Sequence, residues 1–312
     1  MSEASTDNVI SETPTAEQQT EVAPSDLLNS ANCGVIVERV ADIKSEMRSE
    51  GRTFARNLAT YINETQKGIA SVFVYEETFG KKDRIHWMIH MRSLRDYERM
   101  LTMGTHDEKY RNIFTQQVIP EHKGGGTWDR IFIDGSMRES VIMPQFWGMY
   151  GTAATLRDGR PSMFEEGLET VLPAAHHQCD LPQEKILHSG NCGAIIHRSA
   201  QLAYEFRSEG RQFAREALDA INEKGGEVTG FLYEEAFGEA DRIHWLLHMK
   251  SVSSYYWLIR MHAMEEKVRD IFFRDRIPAE RGGGNWSRMF VPGSMVDVCL
   301  TPQHWGMYAT KK

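Results

Sequence analysis

The chain has 312 residues, 41% apolar and 10% aromatic, which suits two well-packed domains. Acidic residues outnumber basic ones 44 to 36, a net charge of −8 with no basic run, so nucleic acid is not an expected partner. No apolar run approaches the roughly 18 residues of a membrane-spanning helix, and the N-terminus lacks the basic and apolar regions of a secretory signal. The expectation is a cytoplasmic protein with no membrane partner.

Residues 1–28 carry Glu3, Asp7, Glu12, Glu17, Glu21 and Asp26 with no lysine or arginine to offset them. Ser, Thr, Gln and Pro fill most of the remainder, so the segment is expected to be a disordered acidic tail. From there the chain repeats itself. Asn32-Cys33-Gly34 returns as Asn191-Cys192-Gly193, Tyr75-Glu76-Glu77 as Tyr233-Glu234-Glu235, and Gly124-Gly125-Gly126 as Gly282-Gly283-Gly284. Trp147-Gly148-Met149-Tyr150 returns as Trp305-Gly306-Met307-Tyr308. The units are read as 29–150 and 188–312, joined by a linker over 151–187. Cys33 and Cys192 hold equivalent positions. With Cys179 and Cys299 they are too few and too scattered for a disulfide framework, and are expected as free thiols.

Within the first repeat, Val35–Val40 reads as a short apolar strand. Asp42–Asn63 reads as a helix, with Met47, Phe54, Leu58 and Ile62 near helical spacing. Ser71–Glu77 is a β-rich strand. Phe79–Asp83 is a Gly-containing turn, and Arg84–Met91 returns as a hairpin partner. Ser93 is positioned to cap the next helix. Trp128–Ile133 is expected as the last main strand, with Val141–Met143 extending it. The order β-α-β-β-α-β is that of a ferredoxin-like unit. Two such units in tandem are expected to pack sheet face to sheet face as an intramolecular α+β barrel.

The most informative stretch is Arg84-Ile85-His86-Trp87-Met88-Ile89-His90-Met91, repeated as Arg242-Ile243-His244-Trp245-Leu246-Leu247-His248-Met249. Side chains alternate between the faces of a strand. Arg84, His86, Met88 and His90 therefore share one face; Ile85, Trp87, Ile89 and Met91 share the other. If Glu77 lies near Arg84, then Tyr75 lies near His86 and Phe73 near Met88. The predicted lumen set is Tyr75, Glu77, His86 and His90, with Tyr233, Glu235, His244 and His248, as proton-handling groups. Arg84 and Arg242 could hold an anionic oxygen. Trp128, Arg130, Trp286 and Arg288 of the last strand are expected to join as substrate-binding groups. An alternative reading makes the same residues a buried network that pins the halves in register.

Four further patterns bear on function. His86 and His90 lie roughly 13 Å apart along one strand, too far for one ion, so a metal would need ligands from both repeats and none is expected. Arg48, Arg52 and Arg56, with Arg207, Arg211 and Arg215, read as a solvated helix stripe paired with neighbouring acids such as Glu46 and Glu50. The triple glycines lack a following Gly-Lys-Ser/Thr and read as a lid or strand entry with positive φ rather than a phosphate loop. Sixteen methionines read as core filling.

The Tyr-Glu-Glu strand, the short Gly turn, the His-Trp strand and the Ser-Leu-x-x-Tyr helix start resemble the dimeric α+β barrel superfamily, which includes antibiotic-biosynthesis monooxygenases and NIPSNAP-like proteins. The resemblance spans both repeats. It implies a bacterial small-molecule enzyme, an oxygenase or cyclase of phenolic or polyketide natural products, working without cofactor as a monomeric pseudo-dimer or a homodimer of it. It also implies a substrate cavity between sheet and helices, lined by strand tryptophans that match Trp87 and Trp245. A non-catalytic ligand-binding or scaffold protein stands beside this reading. An enclosed cavity of roughly 300 Å³ or more beside His86 or Trp87 would favour the enzyme.

Overall fold

The computed structural model describes residues 14–146 and 173–304. Each half runs in the same order. The first comprises β1 (Val35–Asp42), α1 (Arg48–Thr65), β2 (Ala70–Phe79), β3 (Arg84–Met91), α2 (Leu94–His106), α3 (Glu108–Thr115) and β4 (Arg138–Pro144). The second comprises β5 (Ala194–Gln201), α4 (Arg207–Lys224), β6 (Val228–Phe237), β7 (Arg242–Met249), α5 (Tyr255–Met264), α6 (Glu266–Phe273) and β8 (Val296–Pro302).

The eight strands close into one antiparallel barrel in the order β1-β3-β2-β8-β5-β7-β6-β4. The expected hairpin register holds: Tyr75 faces His86 and Phe73 faces Met88, as Tyr233 faces His244. The last strand of each half pairs across the molecule, β4 with β6 and β8 with β2. Apolar residues on the outer strand faces meet the helices in two equivalent cores, built around Trp87 and Phe54 in one half and Trp245 and Phe213 in the other. A third core fills the barrel itself, with Ile36, Phe73, Met88, Phe231 and Leu246.

Three expectations are corrected here. Trp128–Ile133 is not a strand: Trp128–Arg130 forms a 3-10 turn, and the closing strand is Arg138–Pro144. Trp128 stacks on Phe54 at 5.6 Å in the outer core, and Trp286 does the same on Phe213 at 5.6 Å. The arginine stripe is not solvated. Arg52 and Arg211 are almost wholly buried and each forms a bidentate pair with a sheet glutamate, Glu76 or Glu234. Arg56 donates to the backbone carbonyls of Gln303 and Gln19. Arg48, paired with Asp83, and its counterpart Arg207, paired with Asp241, stay substantially exposed.

The segment expected to be disordered is packed from residue 14 onward. Ala16, Val22, Leu27 and Leu28 are buried, and the Gln19 side chain bonds both the N–H and the C=O of Val74 on β2. Gln178 does the same to Leu232 on β6. An amide supplies one donor and one acceptor, so it substitutes for a strand residue where the sheet splays. Residues 1–13, 151–172 and the Trp147 and Trp305 motifs lie outside the described residues.

Candidate functional site

The barrel interior divides into a closed end and an open end. At the closed end, Ser30 and Ser189 sit across from one another, each backbone N–H donating to the other's hydroxyl at 2.9 Å. The Ser189 hydroxyl donates to His90 Nε2 at 2.9 Å and the Ser30 hydroxyl to His248 Nε2 at 2.8 Å. The other nitrogens donate to the carbonyls of Ser71 and Thr229. Tyr75 and Tyr233 donate to the carbonyls of Ser189 and Ser30. Burial keeps both imidazoles neutral by pushing their pKa down to about 3. His90, His248, Tyr75 and Tyr233, predicted as proton carriers, are thus committed to a clasp joining the halves and do not line the open cavity.

At the open end, where the β2–β3 and β6–β7 hairpins turn, lies a cavity of about 630 Å³. It is an open cleft rather than an enclosed chamber, and it borders His86 but not Trp87. Beside Trp87 the space is only about 50 Å³. Trp87 and Trp245 instead direct their indole N–H at helix carbonyls, Ala55 and Ala214, each at 3.4 Å. Arg130 and Arg288 lie outside the barrel too. Each guanidinium is held by carbonyls of the adjacent glycine run, whose three residues all have positive φ as expected.

The floor of the cleft is a chain of six side chains crossing from one half to the other. His86 donates Nε2–H to Glu77 at 2.9 Å and Nδ1–H to Glu38 at 2.8 Å. The same Glu38 oxygen lies 3.2 Å from His197 Nδ1. His197 Nε2 is 2.8 Å from His244 Nδ1, and His244 Nε2 is 3.4 Å from Glu235. Glu77 and Glu235 are placed at the ends of β2 and β6, and their carboxylates fold back over Gly80 and Gly238, where a Cβ would collide with them.

Each charge has a physical cause. Burial opposes a charged His86, but Glu38 and Glu77 outweigh it and raise its pKa to about 9. Burial likewise opposes an ionised Glu38, yet His197 and His86 hold its carboxyl well below the ordinary range. His244 differs: burial pushes it down, and the contribution of Glu235 does not reverse the shift. It is therefore neutral at neutral pH. At the rim, Arg84 pairs with Asp42 at 2.7 Å, and Lys81 adds a second cation to that carboxylate. Arg242 has Ser199 at 2.8 Å, exposed Glu239 at 2.9 Å and Glu235 at 3.8 Å.

Glu38 and His197 escape the alternation argument because each has a second polar residue beside it, Arg39 or Arg198, and alternation alone does not say which of the two faces the lumen. One signal was available. They occupy the same repeat position yet differ, Glu in one half and His in the other, as do Asp42 and Gln201. Both nitrogens of His86 are taken by carboxylates, so it offers no lone pair to a metal. Among the described residues no group of His, Cys, Asp or Glu is arranged to hold one.

The chain belongs to DUF6039, a family of unknown function whose pattern matches residues 5–308. No curated protein matches it in sequence. Among solved structures it is similar to a candidate monooxygenase from Lactobacillus acidophilus NCFM, at 8% identity and TM-score 0.49, covering 86% of this chain and 94% of that one. It is also similar to an anthrone oxidase-like protein, at 10% identity and TM-score 0.45, covering 89% and 94%. A chlorite dismutase variant from Candidatus Nitrospira defluvii aligns at 13% identity and TM-score 0.43, covering 88% and 94%. At such low identity and TM-score these likenesses say nothing of this chain's chemistry.

Proposed function

We propose that the protein is a small-molecule enzyme, a cofactor-independent oxygenase or cyclase of phenolic or polyketide-like substrates, built as two ferredoxin-like units fused into one pseudo-dimeric barrel. The observation that carries this reading is a neutral, almost fully buried imidazole, His244, facing a cavity large enough for a polycyclic phenol. A neutral imidazole is the side chain best matched to taking a proton near pH 7. Glu235 then stabilises the imidazolium that forms, and Arg242 holds the phenolate or enolate left behind.

Both reactions share that first step. In an oxygenase the substrate carbanion gives an electron pair to O2, a C–O bond forms, and the peroxide is protonated. Loss of water then leaves a carbonyl. In a cyclase the carbanion adds to a carbonyl of the same chain and the resulting alkoxide takes the proton back; the hydroxyl then leaves as water together with a proton from the adjacent carbon, and a C=C bond forms. Incubating the protein with a panel of polyphenols and poly-β-ketones, while following O2 uptake and product mass, separates the two. Turnover that is retained in His244→Ala would remove the reading. The scaffold alternative draws its support from the first half of the cleft, where every charge is saturated. It predicts no turnover with any member of the panel.

A further inference from the structure

The reading of His244 as a base leaves open which of its nitrogens carries the proton. A neutral imidazole has one N–H and one lone pair, and only Nε2 faces the gap before Glu235. We infer that Glu38, acting through His197, fixes His244 as the Nδ1–H tautomer, so that these two are positioning residues presenting the His244 Nε2 lone pair to substrate.

The argument follows the hydrogen bonds in order. Glu38 is an acceptor only, and its Oε1 already takes the Nδ1–H of His86. It therefore draws N–H from His197 Nδ1 at 3.2 Å. With that one proton on Nδ1, His197 presents a lone pair at Nε2. That lone pair lies 2.8 Å from His244 Nδ1, which must supply the proton. The proton of His244 is then spent, and Nε2 is bare. The spacing to Glu235, 3.4 Å, is the longest in the chain of six and wider than the 2.9 Å between His86 and Glu77, so this is where a substrate atom can enter. A substrate O–H or acidic C–H inserted there breaks its bond to hydrogen, and its proton goes to Nε2. His244 then donates to both His197 and Glu235.

The first repeat shows what happens without this arrangement. His86 meets a carboxylate directly at each nitrogen and is held as a cation with no lone pair. Replacing one carboxylate by an imidazole, His197, is thus what makes the second copy a base. The inference rests on the proposed function only for the consequence in turnover; the tautomer is a property of the resting protein.

Long-range 1H–15N correlation spectra of the full chain labelled at histidine read the tautomer directly, because bare and protonated ring nitrogens resonate far apart. Wild type is expected to show His244 as Nδ1–H with a bare Nε2. His197→Leu removes both relay contacts and should populate the Nε2–H form, with turnover down by about 100-fold. His197→Gln offers a carbonyl to His244 and an N–H to Glu38, and should restore both the tautomer and most of the turnover. A protonated Nε2 in wild type, or an unchanged tautomer in His197→Leu, overturns the inference. A tautomer that shifts as expected while turnover stays constant leaves the relay standing and removes His244 as the base.

Discussion

The two halves of the cleft are copies in sequence and opposites in electrostatic state. In the first, Glu38, Glu77 and Asp42 absorb His86, Arg84 and Lys81, and every charge is matched at short distance. In the second, His197 stands where Glu38 would be and Gln201 where Asp42 would be, so His244 is uncharged and Arg242 leans on an exposed glutamate. Differences at a few matched positions, with Glu38 against His197, Asp42 against Gln201 and Lys81 against Glu239, therefore separate a saturated ion cluster from a reactive one. A perfectly symmetric barrel would have two locked halves or two loose ones. The locked half here supplies rigidity against which the loose half is positioned.

The largest expected effect tests that contrast by function. His244→Ala should lower turnover by about 100-fold or more while shifting the melting temperature by little, since the loss falls on a proton carrier and not on a matched charge. The same truncation in the locked half should do the reverse to the fold. His86→Ala leaves Glu38 and Glu77 facing each other without their shared cation, and breaking a buried pair costs roughly 3–5 kcal/mol. Differential scanning calorimetry should show a drop of several degrees or more. If the two variants lose equal stability, the halves are not distinguished in the way described.

A pH scan sharpens the comparison without mutation. The folded pKa of His86 is raised, to about 9, so its contribution is complete below its unfolded value near 6.5 and is lost as pH rises through 9. Chemical unfolding at pH 7 and pH 9.5 should show that decline, and His86→Gln should abolish it. At the acid side the sign is opposite. His90 and His248 have folded pKa values lowered to about 3, so stability falls as pH drops below about 6.5, where the unfolded chain takes up protons first.

Smaller effects come from the rim and the outer core. Gln201→Asp rebuilds the first-half arrangement around Arg242 and should raise KM by a few-fold to about tenfold, because the guanidinium gains a competing carboxylate. Unchanged KM would show that Arg242 does not hold the substrate anion. Trp87→Phe gives up one long hydrogen bond and a little area, so it should cost less than about 1.5 kcal/mol and leave turnover alone. Loss of turnover there would return the site to the space under the helices.

Much of this was legible in the letters. The alternation in Arg84–Met91 gave the strand, its two faces and the pairing of Tyr75 with His86. Failures arose where a partner is distant in sequence. The acids that bury Arg52 and Arg211 are on β2 and β6, so the neighbouring Glu46 and Glu50 were a misleading choice of partner. Trp128–Ile133 alternates like a strand, but Arg130 is captured by glycine carbonyls and the ring of Trp128 by Phe54, which holds the segment as a turn. The polar stretch around Gln19 looked unable to order, yet one amide satisfies both backbone groups of Val74. Reading both histidines of each strand as equivalent failed because burial depth along the barrel separates them. His90 and His248 sit at the plugged end.

The pairing of β2 with β8 bears on how the molecule is made. Tyr75 and Pro302 are partners across most of the chain's length, and β4, already paired with β1, finds its second neighbour only once β6 exists. Until then the first sheet has two bare edges, which are templates for pairing with other chains. Closure must wait for the last strand, so folding should be slow for the size of the protein and dominated by long-range contacts. During synthesis the first half is exposed to the same edge-to-edge association that the finished barrel abolishes, and that interval is where a nascent chain would need protection.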